Sequence, residues 1–454
     1  MSFPRYPAYK DSGVEWLGEV PSCWEVLRLK YACEVFPSNV DKHSRDDEPS
    51  VLLCNYTDVY YNECITADMP FMEATASDEQ IARFTLRAGD TIITKDSETA
   101  DDIAIAAYVP ADLPGVVCGY HLSMVRPRAS TCGAFVKRLF DSVYAKAKFE
   151  VTANGLTRVG LGQYALDNVV LPFPSLEEQQ AIAAFLDRET AKIDALVAEQ
   201  EKLIELLKEK RQAVISHAVT KGLDPNVPMK DSGVEWLGEV PAHWSVTRLK
   251  HATSVIVDCP HETPVYSEDG DFLVVRTADV EAGVLDESKM YRVSDEEYRN
   301  RVRRQTLATD DIVYSREGER WGHAALVPRN DQLCLGQRMM QFRAAADFCP
   351  AFLMWQLNAD QTYRQGQVDT VGATSPHVNV GTIRNYLLSA PPLEEQQSIA
   401  KHLGETAHRL ELAMREAADV VSCLNERRAA LISAAVTGQI DVRGLPAEQA
   451  TATA

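Results

Sequence analysis

The side chains able to do chemistry are scattered through this chain, and few spacings make a site. Its ten cysteines include no Cys-x-x-Cys pair, and its ten histidines are equally dispersed. In a chain of 454 residues with no secretion signal, such cysteines read as reduced core thiols. The densest group, Asp258-Cys259-Pro260-His261-Glu262, lacks the ligand spacing of a zinc site. A phosphate-binding G-x-x-x-x-G-K-[ST] loop is missing, and so are G-x-G-x-x-G, H-E-x-x-H, G-x-S-x-G and an Asn-Pro-Pro-aromatic motif. Asp96, Glu98, Asp101 and Asp102 lie near Lys95, but spacing alone gives them no paired-carboxylate mechanism. A nuclease centre assembled from scattered acids stays open at this level. The expectation is a chain without a catalytic centre, metal or cofactor of its own.

Charge is more informative. The net charge is −20, which argues against nonspecific DNA binding driven by a basic surface. Two basic islands interrupt the acidic background. Tyr120 to Lys148 holds Arg126, Arg128, Lys137, Arg138, Lys146 and Lys148 against one acid, Asp141. Tyr298 to Arg343 holds nine arginines against five acids. One reading is a set of selective contacts on a scaffold that otherwise repels phosphate. An ordinary charge fluctuation is the other.

The elements that position these residues are set by an internal repeat. Lys10 opens KDSGVEWLGEVPSCWEVLRLKYA, and Lys230 opens KDSGVEWLGEVPAHWSVTRLKHA. Pro174 opens PSLEEQQAIAAFL, and Pro391 opens PPLEEQQSIAKHL. The chain is therefore two copies of one unit. The copies match at their ends and diverge over residues 33–153 and 253–370. Within those middles, Leu86–Ile93 can be laid on Leu307–Tyr314, and Cys118-Gly119 falls near Leu335-Gly336. One scaffold with two different faces is what reading two different half-sites would need.

Each middle reads as short strands and helices. Thr91–Thr94, Ile103–Val109, Val116–Cys118, Phe272–Arg276 and Ile312–Tyr314 favour strand. Ala134–Lys148 and Pro350–Gln365 have helical spacing. Trp16, Trp24, Trp236 and Trp244 in the repeated opening read as core or turn anchors. Ser175 and Glu178 fit a capping box at the start of a long helix, and Gly222 and Gly438 read as helix stops. A heptad stripe follows, through Ile182, Leu186, Ile193, Leu196, Leu203, Leu207 and Val214 in the first copy. Ile399, Leu403, Leu410, Val420, Leu424 and Leu431 continue it in the second. Sustained heptads argue for a coiled coil. The two helices can pair antiparallel as a rod of roughly 65 Å, or mediate oligomerisation. No run of eighteen apolar residues offers a membrane span, the N-terminus lacks signal-peptide blocks, and a cytoplasmic location is expected.

On these motifs, the duplicated P-L-E-E-Q-Q helix start and G-V-E-W-L-G-E-V-P-x-x-W opening in alternating order, the chain resembles the specificity subunit of type I restriction–modification systems. The resemblance covers nearly the whole chain. It implies an α+β fold: two similar mixed α/β target-recognition domains, separated by two long antiparallel coiled-coil helices, with an internal pseudo-two-fold repeat. The expected ranges are 1–174 and 223–391 for the recognition domains, 175–222 and 392–443 for the helices, and 444–454 for a disordered tail. Each recognition domain would read half of a bipartite, asymmetric site in double-stranded DNA. The helices would hold the halves apart and dock methyltransferase subunits, normally two. A motor and nuclease subunit would join for restriction. S-adenosylmethionine, ATP and Mg²⁺ would belong to those partners. A Gly-x-Thr-Arg segment often closes such a domain. Gly155-Leu156-Thr157-Arg158 matches it, whereas Gly372-Ala373-Thr374-Ser375 has lost the arginine. The expected DNA contacts are Lys95, Arg126, Lys148, Thr157 and Arg158 in the first copy, and Arg304, Arg316, Arg320, Arg338 and Thr374 in the second. The acidic total keeps a coiled-coil adaptor that binds proteins rather than DNA as the competing reading.

Overall fold

The computed structural model describes residues 3–155, 157–318, 320–329, 332–368 and 377–445. Contacts divide the chain into two compact units, Met1–Gln200 with Asp419–Ala454, and Glu201–Ala418. Two long helices, Leu176–Lys221 and Leu393–Val436, each give one part to each unit.

In the first unit an antiparallel sheet runs Cys33–Pro37, Leu122–Pro127, Thr91–Thr94, Ala106–Tyr108. Alternation along its strands serves two cores. Val35, Ile93 and Val125 face one, with Phe135 and Leu139 of the helix Gly133–Asp141. Phe36, Ile92 and Met124 face the other, with Leu53 and Val117. Leu53 and Val117 belong to a second sheet in the order Val116–Cys118, Ser50–Cys54, Met72–Thr75, whose first pair is parallel.

The second unit repeats this topology although its sequence has diverged. Its larger sheet runs Thr253–Asp258, Met339–Ala344, Ile312–Ser315, Ala324–Leu326. Its smaller one runs Leu333–Leu335, Phe272–Val275, Tyr291–Val293. Ile312, Tyr314, Met340 and Phe342 face one core, and Val313 and Met339 the other.

The repeat reaches single hydrogen bonds. Gln179 accepts from the Cys132 amide at 2.8 Å and donates to the Pro174 carbonyl at 2.9 Å. Gln396 does the same with Cys349 and Pro391, at 2.8 and 2.9 Å. Gly438 ends the second long helix at φ 76°, and a Cβ there would meet Pro21 at 2.3 Å. Gly222 ends the first at φ 75° against Trp244. Both stops are the glycines expected from sequence.

Several local expectations are corrected. The helix expected over Ala134–Lys148 is two, Gly133–Asp141 and Val143–Thr152, because Ser142 is extended and caps the second by accepting from the Ala145 amide. Pro350–Gln365 likewise splits into Pro350–Leu357 and Asp360–Gln367. The strand in Ile103–Val109 shortens to Ala106–Tyr108. Trp24 and Trp244 are buried core anchors, and Trp16, half exposed, sits in a turn, both within the expectation of core or turn anchors. Ser175 does cap the long helix, accepting from the Glu178 amide at 3.3 Å. The Glu178 carboxylate does not reach back; it accepts from the Tyr6 hydroxyl at 2.6 Å and the Trp24 indole at 3.1 Å.

The heptad stripe also differs from a continuous helix seam. Ile182 and Leu186 lie in the first unit's core with Trp24, Phe135, Ile432 and Val436. Ile399 and Leu403 lie in the second's with Trp244, Ile215 and Val219. Leu431 and Val214 pack at the margins of those cores, and Ile193 and Leu410 are buried. Leu207 and Leu424 are half-buried, while Leu196, Leu203 and Val420 are 46%, 42% and 43% exposed. Near a sheet domain, a helix side chain is covered from two sides. Away from it, only other helix side chains can cover it.

Candidate nucleic-acid interface

The two central strands of each larger sheet leave a turn and a short segment at the same end. In the first unit the Lys95 amide donates to the His121 carbonyl at 3.2 Å; in the second, Arg316 donates to Arg338 at 3.0 Å. The turn is fixed by a glycine in both. Gly119 donates to the Cys54 carbonyl at 2.9 Å, and Gly336 to that of Val275 at 2.8 Å. A Cβ on either would sit 2.8 Å from that carbonyl, too close for any other residue. Asp96–Ser97 pairs with Val159–Gly160, and Glu317 bridges His377 in the same sense.

On this common backbone the side chains differ. The first unit carries Lys95, Asp96, Tyr120 and His121 where the second has Arg316, Glu317, Gln337 and Arg338. Each carboxylate is flanked by two bases. Asp96 meets His121 Nδ1 at 3.0 Å and Lys95 Nζ at 3.4 Å. Glu317 pairs with Arg316 and lies 3.6 Å from Arg338 Nε. Around the first turn, Tyr56 stacks on Tyr60 at 5.5 Å, and Tyr60 donates to Asp102 at 2.9 Å. Burial pushes the Tyr56 hydroxyl up, while bonding to Ser97 and the Arg158 charge pull it down. Around the second turn, Asp258 meets His261 at 2.9 Å and Arg316 at 3.4 Å, and its carbonyl accepts from Arg304 at 2.9 Å. Half-buried aromatic rings beside cations and hydrogen-bonding tips can stack on bases, contact phosphate and read base edges.

The structure thus brings together Lys95 and Arg158 in the first unit, and Arg304, Arg316 and Arg338 in the second. Thr157 and Arg158 are exposed. Arg320 stands apart, donating to the Ala278 carbonyl and to Glu281. Lys148 lies 4.1 Å over the Trp16 ring, with no contact to this cluster. Thr374 falls outside the described residues. Arg126 is reassigned. Its guanidinium forks onto Asp90 at 2.8 and 2.7 Å, and Asp90 is 1% exposed. Arg343 forks onto buried Asp311 in the same way, at 2.7 and 2.8 Å. An arginine that must neutralise a buried acid in both units is structural. Around the turns also stand Tyr56, Tyr120, His121, Glu317 and Gln337, which the sequence did not single out, and Asp96, which it marked only as an acid near Lys95. The faint match of Cys118-Gly119 with Leu335-Gly336 marks the two turns in the sequence, and nothing in it points to Tyr56.

A family model described as the type I restriction modification DNA specificity domain matches residues 21–206 and 265–413. The chain belongs to this family. Among curated relatives, one in Methanocaldococcus jannaschii, named for the MjaX type I restriction enzyme specificity subunit, is 22% identical over 94% of this chain and 96% of its own. The EcoKI specificity subunit of Escherichia coli (strain K12) is 21% identical over 72% of this chain and 68% of its own. Two solved structures share the fold. One, from work on complex assembly and conformational transition of the type I R-M system, has a TM-score of 0.68 at 17% identity, covering 92% of this chain and 98% of that one. The HsdS subunit from Thermoanaerobacter tengcongensis has a TM-score of 0.50 at 17% identity, with 92% and 98% covered. Within a restriction–modification complex, a chain of this family is the non-catalytic DNA-specificity component. Among the described residues no group of three or more His, Cys, Asp or Glu could hold a metal.

Proposed function

We propose that this chain reads a bipartite, asymmetric site in double-stranded DNA, one half with each unit, for a type I restriction–modification complex. The long helices set the spacing and dock two methyltransferase subunits, and a motor and nuclease subunit joins for restriction. S-adenosylmethionine, ATP and Mg²⁺ act on those partners. The complex works on DNA in the cytoplasm; no described helix is long and apolar enough to cross a membrane. One observation carries the reading: two units keep the glycine, the central strand register and the place of the turn while the side chains they present there change. A kept scaffold whose presented tips diverge along with the rest of the middle segments suits two different half-sites, whereas an adaptor binding one kind of partner would keep those tips alike. The test is binding of the full chain, with its co-expressed partner subunits, to randomised duplexes over a salt series. Selection of two separated blocks of sequence, with affinity falling steeply as salt rises, is expected. Binding without sequence preference would overturn the proposal.

A further inference from the structure

We propose that the turn residues Gln337–Arg338 and Tyr120–His121 are equivalent base-reading positions, and that Arg338 reads a guanine. This rests on the DNA-reading function above and names the residues that set its specificity.

The two turns stand at the same place in the fold, each held by its glycine, Gly336 or Gly119, against a neighbouring carbonyl, but their backbones differ at the second turn residue. The structural arginines further along each strand, Arg343 and Arg126, are the same. The units differ at this end in what the turn presents, a glutamine and an arginine in one and a tyrosine and a histidine in the other, and in the backbone conformation that carries the second of these residues. Arg338 sits at φ 71°, a left-handed conformation uncommon for a residue with a Cβ. Such a conformation persists where surrounding structure fixes it, and it clusters at functional positions. Its side chain is 46% exposed. Among the described residues, Glu317 is the carboxylate against it, on the Nε side at 3.6 Å.

That carboxylate decides between the two partners DNA offers. A phosphate brought to Arg338 would also approach Glu317, whose charge Arg316 offsets in part, so a neutral acceptor is the better partner. A neutral base edge meets no such repulsion, and guanine O6 and N7 accept two N–H donors from one guanidinium. In the first unit Asp96 stands against His121 in the same way, at 3.0 Å. The imidazole cannot make the arginine fork, so the two units read different bases at this position.

The full chain with its co-expressed partner subunits is selected on randomised duplexes as wild type, Arg338→Ala, Arg338→Lys and His121→Arg. Arg338→Ala is expected to lose a guanine preference of roughly tenfold to a hundredfold at one position of one half-site, leaving the other half intact. Arg338→Lys keeps the charge but not the rigid fork, and weakens the same preference without abolishing it. His121→Arg changes the preferred base at one position in the other half. A uniform affinity loss in Arg338→Ala, restored by lysine, identifies a phosphate contact and overturns the inference. Unchanged base preference in all three variants overturns it as well. In both cases wild-type selection of two sequence blocks would still stand, which separates this failure from failure of the proposed function. Because Arg338 is exposed and alanine also carries a Cβ, the variants should melt within the wild-type range.

Discussion

The two units share a fold but differ in how they satisfy it. In the first, the anchor tryptophan Trp24 donates to Glu178, which also takes the Tyr6 hydroxyl. In the second, Trp244 is as deeply buried, yet its indole nitrogen has no partner among the described residues, and Glu395 turns to the exposed His243 at 2.9 Å. The helix arginines differ in the same direction. Arg428 bridges Glu63 at 2.7 Å and Asp194 at 2.8 Å. Its repeat equivalent, Arg211, donates to the Ala282 carbonyl, and burial pulls it down while Glu411 and Glu281 act only at a distance. Backbone architecture survives duplication because both copies need the same apolar pattern. Polar satisfaction survives only in part, kept by Gln179 and Gln396 and by the two arginine forks but not at Trp244, because one missing partner can be tolerated where the remaining packing is sufficient.

Breaking what the units share should have the largest effect. Arg126→Ala and Arg343→Ala each leave a buried carboxylate unpaired, and each should destabilise its own unit by about 3–5 kcal/mol, read by denaturant unfolding. Equal losses confirm the shared role; a loss confined to one unit means the pairs are not equivalent. The next effect should be asymmetric. Glu178→Ala strands two buried donors and should destabilise by about 2–4 kcal/mol. Glu395→Ala removes only a partner of an exposed histidine and should fall below about 1 kcal/mol. Third, Arg428→Met should destabilise by about 1–2 kcal/mol, whereas Arg211→Met should be close to neutral because it removes a poorly compensated buried charge. Similar losses in both would show that Arg211 is held better than its contacts indicate.

The smallest difference is in pH. Burial pushes the Glu63 carboxyl up, but Lys137, Arg428 and Arg138 outweigh it and hold it at about 2. The folded value lies below the ordinary 4.5, so its stabilising contribution is present above that value and lost as pH falls toward 2. Half of the Glu63 side chain is open to solvent, so screening keeps the effect modest. Acid titration followed by hydrogen exchange should loosen the Arg428 attachment first, and Glu63→Gln should remove that pH dependence.

The repeat, the long helices, the strands around Thr91 and Ile312 and the glycine stops were all legible in sequence, because apolar periodicity and backbone conformation are written locally. The same signals misjudged Ser142 and the middle of the heptad stripe. A cap competes with helix spacing over a single residue, and a period of seven does not say what covers a leucine. Among the candidate contacts, Lys95, Arg304, Arg316 and Arg338 share the turn end of their units, but Arg126 has the same residue type and a nearby position and does different work.

Sequence alone determined that this protein is one scaffold used twice, since matched ends and their offsets need no coordinates. Only the tertiary structure decided which basic side chains are committed to buried acids and which are left to face a ligand. Charge is a property of the residue, but its availability depends on partners that lie tens to hundreds of residues away in sequence.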